Sequence, residues 1–361
     1  MEASSIALAA SIRKYRNILI VIKGSPDPDA IASSFAISAL CKRLGVDSTI
    51  ISVKKVSLPE NRTFITTLDI PIRFSPDLPD VRHFDAYIVT DFQSPAAHEI
   101  AGDLPCAVFI DHHEDDGGEA RADFSLRNTD AGSTSSIIAL LLKEMKEKLE
   151  PADMVPVYTA LLYGIYTDTD KYSHAGRLDY EALDYLSAYS DHEAFNKISS
   201  TPLSRETLEL IKTAIRVKVA HKDWLIAGLG YISADNRDSI AVIADFLLKR
   251  EKYQTVIVFA AIESEEGSRL TLDASLRSSS DVLNLNDVIK AITAEGGARK
   301  FKGAYQINMD YFSRCPDRAL LWDVIRLTTI EVLKKSRDGM YITELKGFYN
   351  KLRNRIRRSL G

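Results

Sequence analysis

Short β-branched runs alternate with amphipathic helical stretches through the first half of the chain. Parallel strands need helical crossovers between them, and this alternation is typical of a parallel sheet covered by helices on both faces. The first half therefore predicts an α/β domain. The predicted strands are 18–22, 48–53, 86–90 and 106–110, and the predicted helices are 30–44, 133–148 and 155–166.

The second half has a different rhythm, because its predicted strands lie next to one another as well as alternating with helices. The strands are predicted over 224–230, 255–262 and 269–276, and the helices over 238–250 and 285–294. This pattern predicts a second, smaller α/β or α+β domain, and 361 residues fit two domains of about 150 residues each. The predicted bounds are 1–185 for the first domain, 186–215 for a helical connector, 216–335 for the second domain and 336–361 for a basic tail.

Composition excludes several classes of protein. With 45% hydrophobic and 27% charged residues, the chain is neither disordered nor a disulfide scaffold, and no apolar run approaches the roughly 18 residues of a membrane span. Residues 1–10 lack the basic start of a signal peptide, and Cys41, Cys106 and Cys315 form no metal-binding or paired pattern. We therefore expect a cytoplasmic protein with reduced thiols. A net charge of −4 predicts no general affinity for nucleic acid.

Carboxylates and histidines follow three of the predicted strands, at the point where each strand ends. Asp27 and Asp29 follow the first strand, Asp91 follows the third, and the run Asp111-His112-His113 follows the fourth. Ligand crevices of open parallel sheets form at these carboxyl ends, so we expect the side chains to converge. A further acid, Asp168, lies just past a predicted helix that could return it to the same edge.

Several carboxylates at one place repel one another unless a cation lies between them. Oxygen ligands with one or two imidazoles suit Mn²⁺ or Mg²⁺ better than a structural zinc. Two such ions about 3.5 to 4 Å apart can hold a bridging hydroxide and polarise a phosphoryl group. Taken singly, an aspartate after a strand is commonly a helix N-cap, and Asp29 could serve as one. The joint occurrence favours a metal site for phosphate hydrolysis.

These residues resemble the motifs of the DHH phosphoesterase superfamily. The second half is similar to a DHHA1-type substrate-binding domain, through 275–278 and the glycines at 296–297. The resemblance implies an active site in a cleft between the two domains. In this chain the four motifs of the first domain correspond to 27–30, Asp91, the run 111–113 and Asp168.

The resemblance also implies roles for the individual residues. One metal would be held by Asp29, Asp91, His112 and Asp168. Asp91 would bridge to a second metal that Asp27 also holds, so that the cofactor is one or two Mn²⁺ or Mg²⁺ ions. His113 would lie beside the scissile phosphate as an acid or an orienting group. Asp111 would orient the histidines from behind, as metal-bound imidazoles usually require.

In the second domain, the resemblance implies that Arg277 and Ser278 anchor the terminal phosphate or the nucleotide. A turn at Gly296 and Gly297 would let backbone N–H groups approach a phosphate closely. The next position departs from the family, because Ala298 stands where a histidine usually contacts substrate. The basic residues beside it either supply replacement phosphate contacts or form a solvated surface. They are Arg299, Lys300 and Lys302.

Lys23 is a second departure from the family, because many members carry a metal-binding histidine at that position. An ammonium group cannot bind a metal unless it loses its proton, and nearby acids favour the charged form. Lys23 either neutralises part of the acid cluster, which leaves the second metal site weak or absent, or points to solvent while Asp27, Asp91 and water hold that metal.

The leading hypothesis is a metal-dependent phosphoesterase that hydrolyses small nucleotides such as pAp, or short single-stranded RNA, by means of a metal-activated water. In this respect the chain resembles the nanoRNase and pAp phosphatase group of the family. The alternatives are an exopolyphosphatase or pyrophosphatase, and a nucleotide-binding sensor with weakened catalysis. The segment from Pro316 either completes the second domain or mediates a homodimer. Its basic end at 351–358 either contacts an RNA backbone or is a solvated helix end.

Overall fold

The chain forms two compact units, 1–202 and 203–361. The computed structural model describes residues 2–24, 26–56, 58–75, 80–114, 121–146, 148–263, 269–298 and 301–359, with side chains to 339. The three cysteines are free thiols, and two of them are buried. No helix in these ranges has an apolar stretch long enough to cross a membrane.

The first unit is built on a six-stranded sheet in which every strand pair is parallel. This confirms the predicted α/β fold, although the short edge strand β3 and the outer strand β6 were not predicted. The spatial order is β3-β2-β1-β4-β5-β6. The strands are β1 (Asn17–Ile22), β2 (Asp47–Ser52), β3 (Ile72–Phe74), β4 (Ala86–Thr90), β5 (Cys106–Asp111) and β6 (Ala122–Arg127).

Helices cover this sheet, and their starts are marked by ordinary capping residues. Asp27 caps the second helix by accepting the N–H of Ala30, and Pro28 occupies the first helical position. Ser133 caps the fifth helix in the same way. The described helices are α1 (Glu2–Ile12), α2 (Pro28–Arg43), α3 (Pro59–Thr67), α4 (His98–Ala101), α5 (Thr134–Glu144), α6 (Pro151–Asp168), α7 (Arg177–Ser187) and α8 (His192–Ser199).

The strand order reverses at β1, which lies between β2 and β4. In an open parallel sheet, the carboxyl ends of the strands on either side of such a reversal form a crevice. The chain leaves β1 toward Asp27, leaves β4 at Asp91 and ends β5 at Asp111. The topology therefore delivers the predicted acids to one place.

The second unit is built on a mixed sheet of order β11-β12-β10-β9-β8-β7. Its one parallel pair, β8 with β9, is connected by the helix α10, and the other described pairs are antiparallel. Its elements are α9 (Arg205–Val217), β7 (Val219–His221), β8 (Trp224–Ser233), α10 (Ser239–Arg250), β9 (Thr255–Glu263), β10 (Leu270–Ser278), α11 (Leu285–Lys290), β11 (Gly296–Ala298), β12 (Lys302–Asn308) and α12 (Arg318–Ser359).

The glycine pair of the second unit differs from its prediction as a turn. Gly296 and Gly297 lie in β11 and pair with β12. Gly296 has a φ of 142°, and a Cβ on it would lie 2.5 Å from the carbonyl oxygen of Ala304. Only glycine fits this close approach of two strands.

Two predicted helices end early. The helix predicted over 285–294 ends at Lys290, whose ammonium donates to the carbonyls of Ala294 and Gly296 as the chain turns into β11. The helix predicted over 133–148 ends at Glu144, because Met145 adopts an extended conformation and is buried.

Candidate metal centre

His112 follows β5 directly, and its ring is held by one hydrogen bond to the backbone. The Nδ1 atom lies 3.2 Å from the carbonyl oxygen of Ala131. A carbonyl can only accept, so Nδ1 carries a proton and donates it. Nε2 lies 3.1 Å from a carboxylate oxygen of Asp168 and 3.4 Å from one of Asp91. It is buried and faces these two carboxylates.

Asp29 joins the start of α2 to the start of α5. Its side chain is buried, and each of its oxygens accepts a backbone N–H of α5 at 2.8 Å, one from Thr134 and one from Ser135. The positive end of a helix favours a carboxylate at this position. The hydroxyl of Thr134 also donates to Asp91 over 3.0 Å. The first turn of α5 therefore positions two of the predicted metal ligands.

Asp91 sits in a backbone conformation that few residues other than glycine adopt. Its φ is +57°, in the left-handed region that aspartate tolerates better than most residues. Its N–H donates to the carbonyl of Ile110 on the neighbouring strand. Strained backbone of this kind persists where the surroundings fix it, commonly at functional sites.

Five of the predicted site residues form two overlapping groups. Asp29, His112 and Asp168 each offer one donor atom, and these atoms lie within 4.8 Å of one another. The same is true of Asp91, His112 and His113. Asp168 reaches the cluster as the last residue of α6 rather than from the loop after it.

The electrostatics of the cluster favour a positive charge between these side chains. Burial, followed by the charges of Asp91 and Asp168, raises the pKa of Asp29 well above its ordinary value. Burial lowers the pKa of His112, but the hydrogen bonds and charges of Asp168 and Asp91 outweigh it, so that the pKa is raised well above its ordinary value. Without a cation, the cluster retains protons. Once Nε2 loses its proton, His112 and the oxygen-rich donor set fit a hard divalent ion such as Mn²⁺ or Mg²⁺.

His113 is held by Asp111, whereas His112 is held by the backbone. Nδ1 of His113 lies 2.6 Å from an oxygen of Asp111, which is fully buried. The predicted orienting role of Asp111 thus has a geometric basis for one histidine. The catalytic role of the pair stays a prediction.

Asp27 and Lys23 lie at the edge of this arrangement. Asp27 caps α2, and among the described residues neither of the two donor groups includes it. The ammonium of Lys23 donates to the carbonyl of Ala96 over 2.6 Å, lies 3.0 Å from Glu99 and sits over the ring of Phe92. Lys23 is therefore engaged with α4 and the segment before it, rather than with the acid cluster or with solvent.

The predicted substrate-binding residues lie in the second unit. Arg277 donates from Nε to Asp245 over 2.7 Å and from Nη1 to the hydroxyl of Ser275. Ser278 is buried, and its hydroxyl is hydrogen-bonded to Thr255 and to the carbonyl of Gln254. Their contact with a phosphate stays a prediction, as does that of Gly296 and Gly297 in β11. Arg299 and Lys300 lie outside the described residues.

The residues that support the ligands from behind could not be identified from the sequence. Thr134 and Ser135 hold Asp29, and Asp179 holds the loop before α5. The run Ser133 to Ser136 carries a helix-start signal, but nothing in the sequence connects that helix to Asp29. Gly164 on α6 is a further such residue.

We expect Gly164→Ala to damage the cluster. A Cβ at Gly164 would lie 2.3 Å from the hydroxyl of Ser135 and 3.2 Å from an oxygen of Asp29. Relief of this overlap should destabilise the protein by about 1 to 3 kcal/mol and weaken Mn²⁺ binding, measured by urea unfolding and Mn²⁺ titration. Gly339→Ala is the matched control, because it is also helical and its Cβ would meet nothing within 4 Å. Equal behaviour of the two variants would contradict this packing.

Fold and cluster together define the first unit as a doubly wound α/β domain with a candidate metal centre at its switch point. Residues 17–165 match the model of the DHH family, N-terminal domain. The first unit of this chain is a DHH-family domain, as the motifs predicted. The DHHA1 resemblance of the second unit stays a prediction.

Two similar proteins cover most of the chain. An uncharacterized protein of Methanocaldococcus jannaschii is 31% identical over 327 residues, which are 89% of this chain and 65% of the relative. The chain thus spans about two thirds of the length of that curated relative. The crystal structure of an exopolyphosphatase-related protein from Bacteroides fragilis matches with a TM-score of 0.61 at 17% identity, covering 93% of this chain and 96% of that chain. This likeness shows a shared fold.

Proposed function

We propose that this protein is a metal-dependent phosphoesterase that hydrolyses small nucleotides or short oligonucleotides. The observation that carries the proposal is the buried Nε2 of His112, which faces Asp91 and Asp168 while Nδ1 is committed to a backbone carbonyl. An imidazole held in this way is typical of a metal ligand.

Asp29, Asp91, His112 and Asp168 would hold the cation. When bound, such an ion polarises a phosphoryl group and promotes the ionisation of a nucleophilic water. His113 would contribute an imidazole beside the cluster for proton transfer to the leaving oxygen, and the hydrogen bond between its Nδ1 and Asp111 fixes its orientation.

The proposed substrate class rests on the fixed guanidinium of Arg277 and on the net charge of the chain. The guanidinium of Arg277 is fixed by Asp245 and Ser275, and a guanidinium prepared in this way suits a terminal phosphate. The net charge of −4 argues against a long polyanion. A small nucleotide such as pAp or a dinucleotide fits both observations.

Hydrolysis of pAp, a 5′-labelled dinucleotide, inorganic pyrophosphate and tripolyphosphate in the presence of Mn²⁺ tests the proposal. We expect turnover of pAp or of a 5′-labelled dinucleotide, and a loss of more than about 100-fold in Asp168→Asn, since even residues behind the ligands are worth 10- to 100-fold. Asp103→Asn is the control, because Asp103 is exposed.

Each other outcome contradicts the proposal in a different way. Turnover of inorganic pyrophosphate or tripolyphosphate alone would replace it with a phosphoanhydride hydrolase. Saturable binding of pAp without turnover would replace it with a nucleotide sensor. Turnover that survives in Asp168→Asn would exclude this cluster as the active centre.

A further inference from the structure

One peptide group connects a remote carboxylate to His112. The carbonyl of Ala131 accepts the Nδ1 proton of His112 at 3.2 Å. The N–H of Gly132 belongs to the same peptide group, and it donates to both oxygens of Asp179 at 3.0 Å. The path from the Asp179 carboxylate to the imidazole thus runs through a single planar unit.

Asp179 is a buried acid held by neutral donors. Its other partners are the N–H of Gly176 at 2.7 Å and the hydroxyl of Ser136 at 2.6 Å. Among the described residues, none of its hydrogen-bond partners is a lysine, arginine or histidine. A buried carboxylate is costly to desolvate, so this one is kept in place by several hydrogen bonds that fix its direction.

Gly132 makes the approach of Asp179 possible. A Cβ at this position would lie 2.6 Å from Oδ2 of Asp179 and 2.8 Å from the side chain of Thr169. A residue with a side chain would push the carboxylate away from the peptide group. The contact is therefore built into the local sequence.

We infer that Asp179 is a positioning residue for His112 and acts through the Ala131–Gly132 peptide group. A carboxylate that accepts from a peptide N–H polarises the peptide and strengthens its carbonyl as an acceptor. The stronger acceptor holds the proton on Nδ1 and fixes the plane of the ring, so Nε2 stays directed at Asp91 and Asp168. The inference rests on the proposed metal centre, and it adds Asp179 of α7 to the residues that support the metal ligands.

Mn²⁺ affinity tests the inference, measured by the electron paramagnetic resonance of free Mn²⁺. Asp179→Asn keeps the shape of the side chain but removes its charge. An NH₂ group, which can only donate, replaces one carboxylate oxygen and faces other donors. We expect the dissociation constant for Mn²⁺ to rise by about 10- to 100-fold. The control is Thr159→Ala, which removes a buried hydroxyl that bridges Val155 and Asp191 elsewhere in the same unit. It should destabilise the unit while leaving Mn²⁺ affinity within about twofold of wild type.

The possible results separate this inference from the proposed function. If the wild-type protein binds no Mn²⁺, the metal centre itself is wrong. If the wild type binds Mn²⁺ and folded Asp179→Asn binds it equally well, Asp179 has no positioning role. An equal loss in Thr159→Ala would show that the effect is general destabilisation and would also overturn the inference.

A measurement on the wild-type protein keeps the inference testable if Asp179→Asn does not fold. In ¹⁵N-histidine NMR of the Mg²⁺-loaded protein, we expect a slowly exchanging proton on Nδ1 of His112. The amide proton of Gly132 should be shifted downfield by its bond to a carboxylate. An unprotonated Nδ1 would overturn the inference, and so would a Gly132 amide that exchanges as fast as an amide without a hydrogen bond.

Discussion

His112→Ala should abolish metal binding and lower kcat/KM for the preferred substrate by more than about 100-fold, a larger loss than removal of a residue behind the ligands produces. His112 is the residue shared by both groups, Asp29 with Asp168 and Asp91 with His113. Its removal leaves acids that repel one another with neither a cation nor an imidazolium between them. Mn²⁺ titration and steady-state kinetics measure the two effects.

The control for this variant is His83→Ala. The side chain of His83 is 80% exposed and lies in the turn before β4, away from the carboxyl ends of the strands. We expect its Mn²⁺ affinity and turnover to equal those of the wild type. Retention of tight Mn²⁺ binding in His112→Ala would show that the cation is held elsewhere.

The second large effect is a change in how the free energy of unfolding depends on pH when the metal binds. The pKa of Asp29 is raised by its burial and then by Asp91 and Asp168, and the pKa of His112 is raised by Asp168 and Asp91 despite burial. The folded metal-free protein therefore keeps protons that the unfolded chain releases above about pH 4 for an aspartate and about pH 6.5 for a histidine. The stabilisation these groups give is present below those values and is lost as pH rises through the folded-state pKa values.

A bound cation replaces those protons, so its effect should grow as pH rises. At a free Mn²⁺ concentration of about 100 times the dissociation constant, the gain in the free energy of unfolding is about 2.7 kcal/mol. Urea unfolding from about pH 5 to about pH 8, with Mn²⁺ or with a chelator, measures this difference. A gain that shrinks as pH rises would mean that Mn²⁺ binds outside the cluster.

The sheet and the first layer of the site could be predicted because both leave local signals. A buried strand is a short apolar run, and an acid at its end is a position relative to that run. Since parallel strands end at one edge, Asp91 and His112 were expected together although they belong to different strands. The rule that parallel strands end at one edge of the sheet therefore predicted a contact that no local sequence pattern shows.

The supporting layer could not be predicted, because its signals are spatial. Asp179 is an ordinary first-turn acid in the sequence, and only the fold brings it to the N–H of Gly132. Gly164 is one glycine within a helix. The reason that a glycine is required there is the packing of Ser135 against it, which only the fold shows. The sequence left open whether Lys23 interacts with the acid cluster or points to solvent, and its position beside Glu99 and Phe92 depends on where α4 lies.

The cluster draws its members from nearly the whole length of the first unit, from Asp29 at the start of α2 to Asp168 at the end of α6. Contacts between residues so distant in sequence form late in folding, because the chain between them must be ordered first. We therefore expect the cation to bind after the domain has folded and not to nucleate folding. Bound in this way, it should slow unfolding and so extend the lifetime of the native state, while the rate of folding stays nearly unchanged.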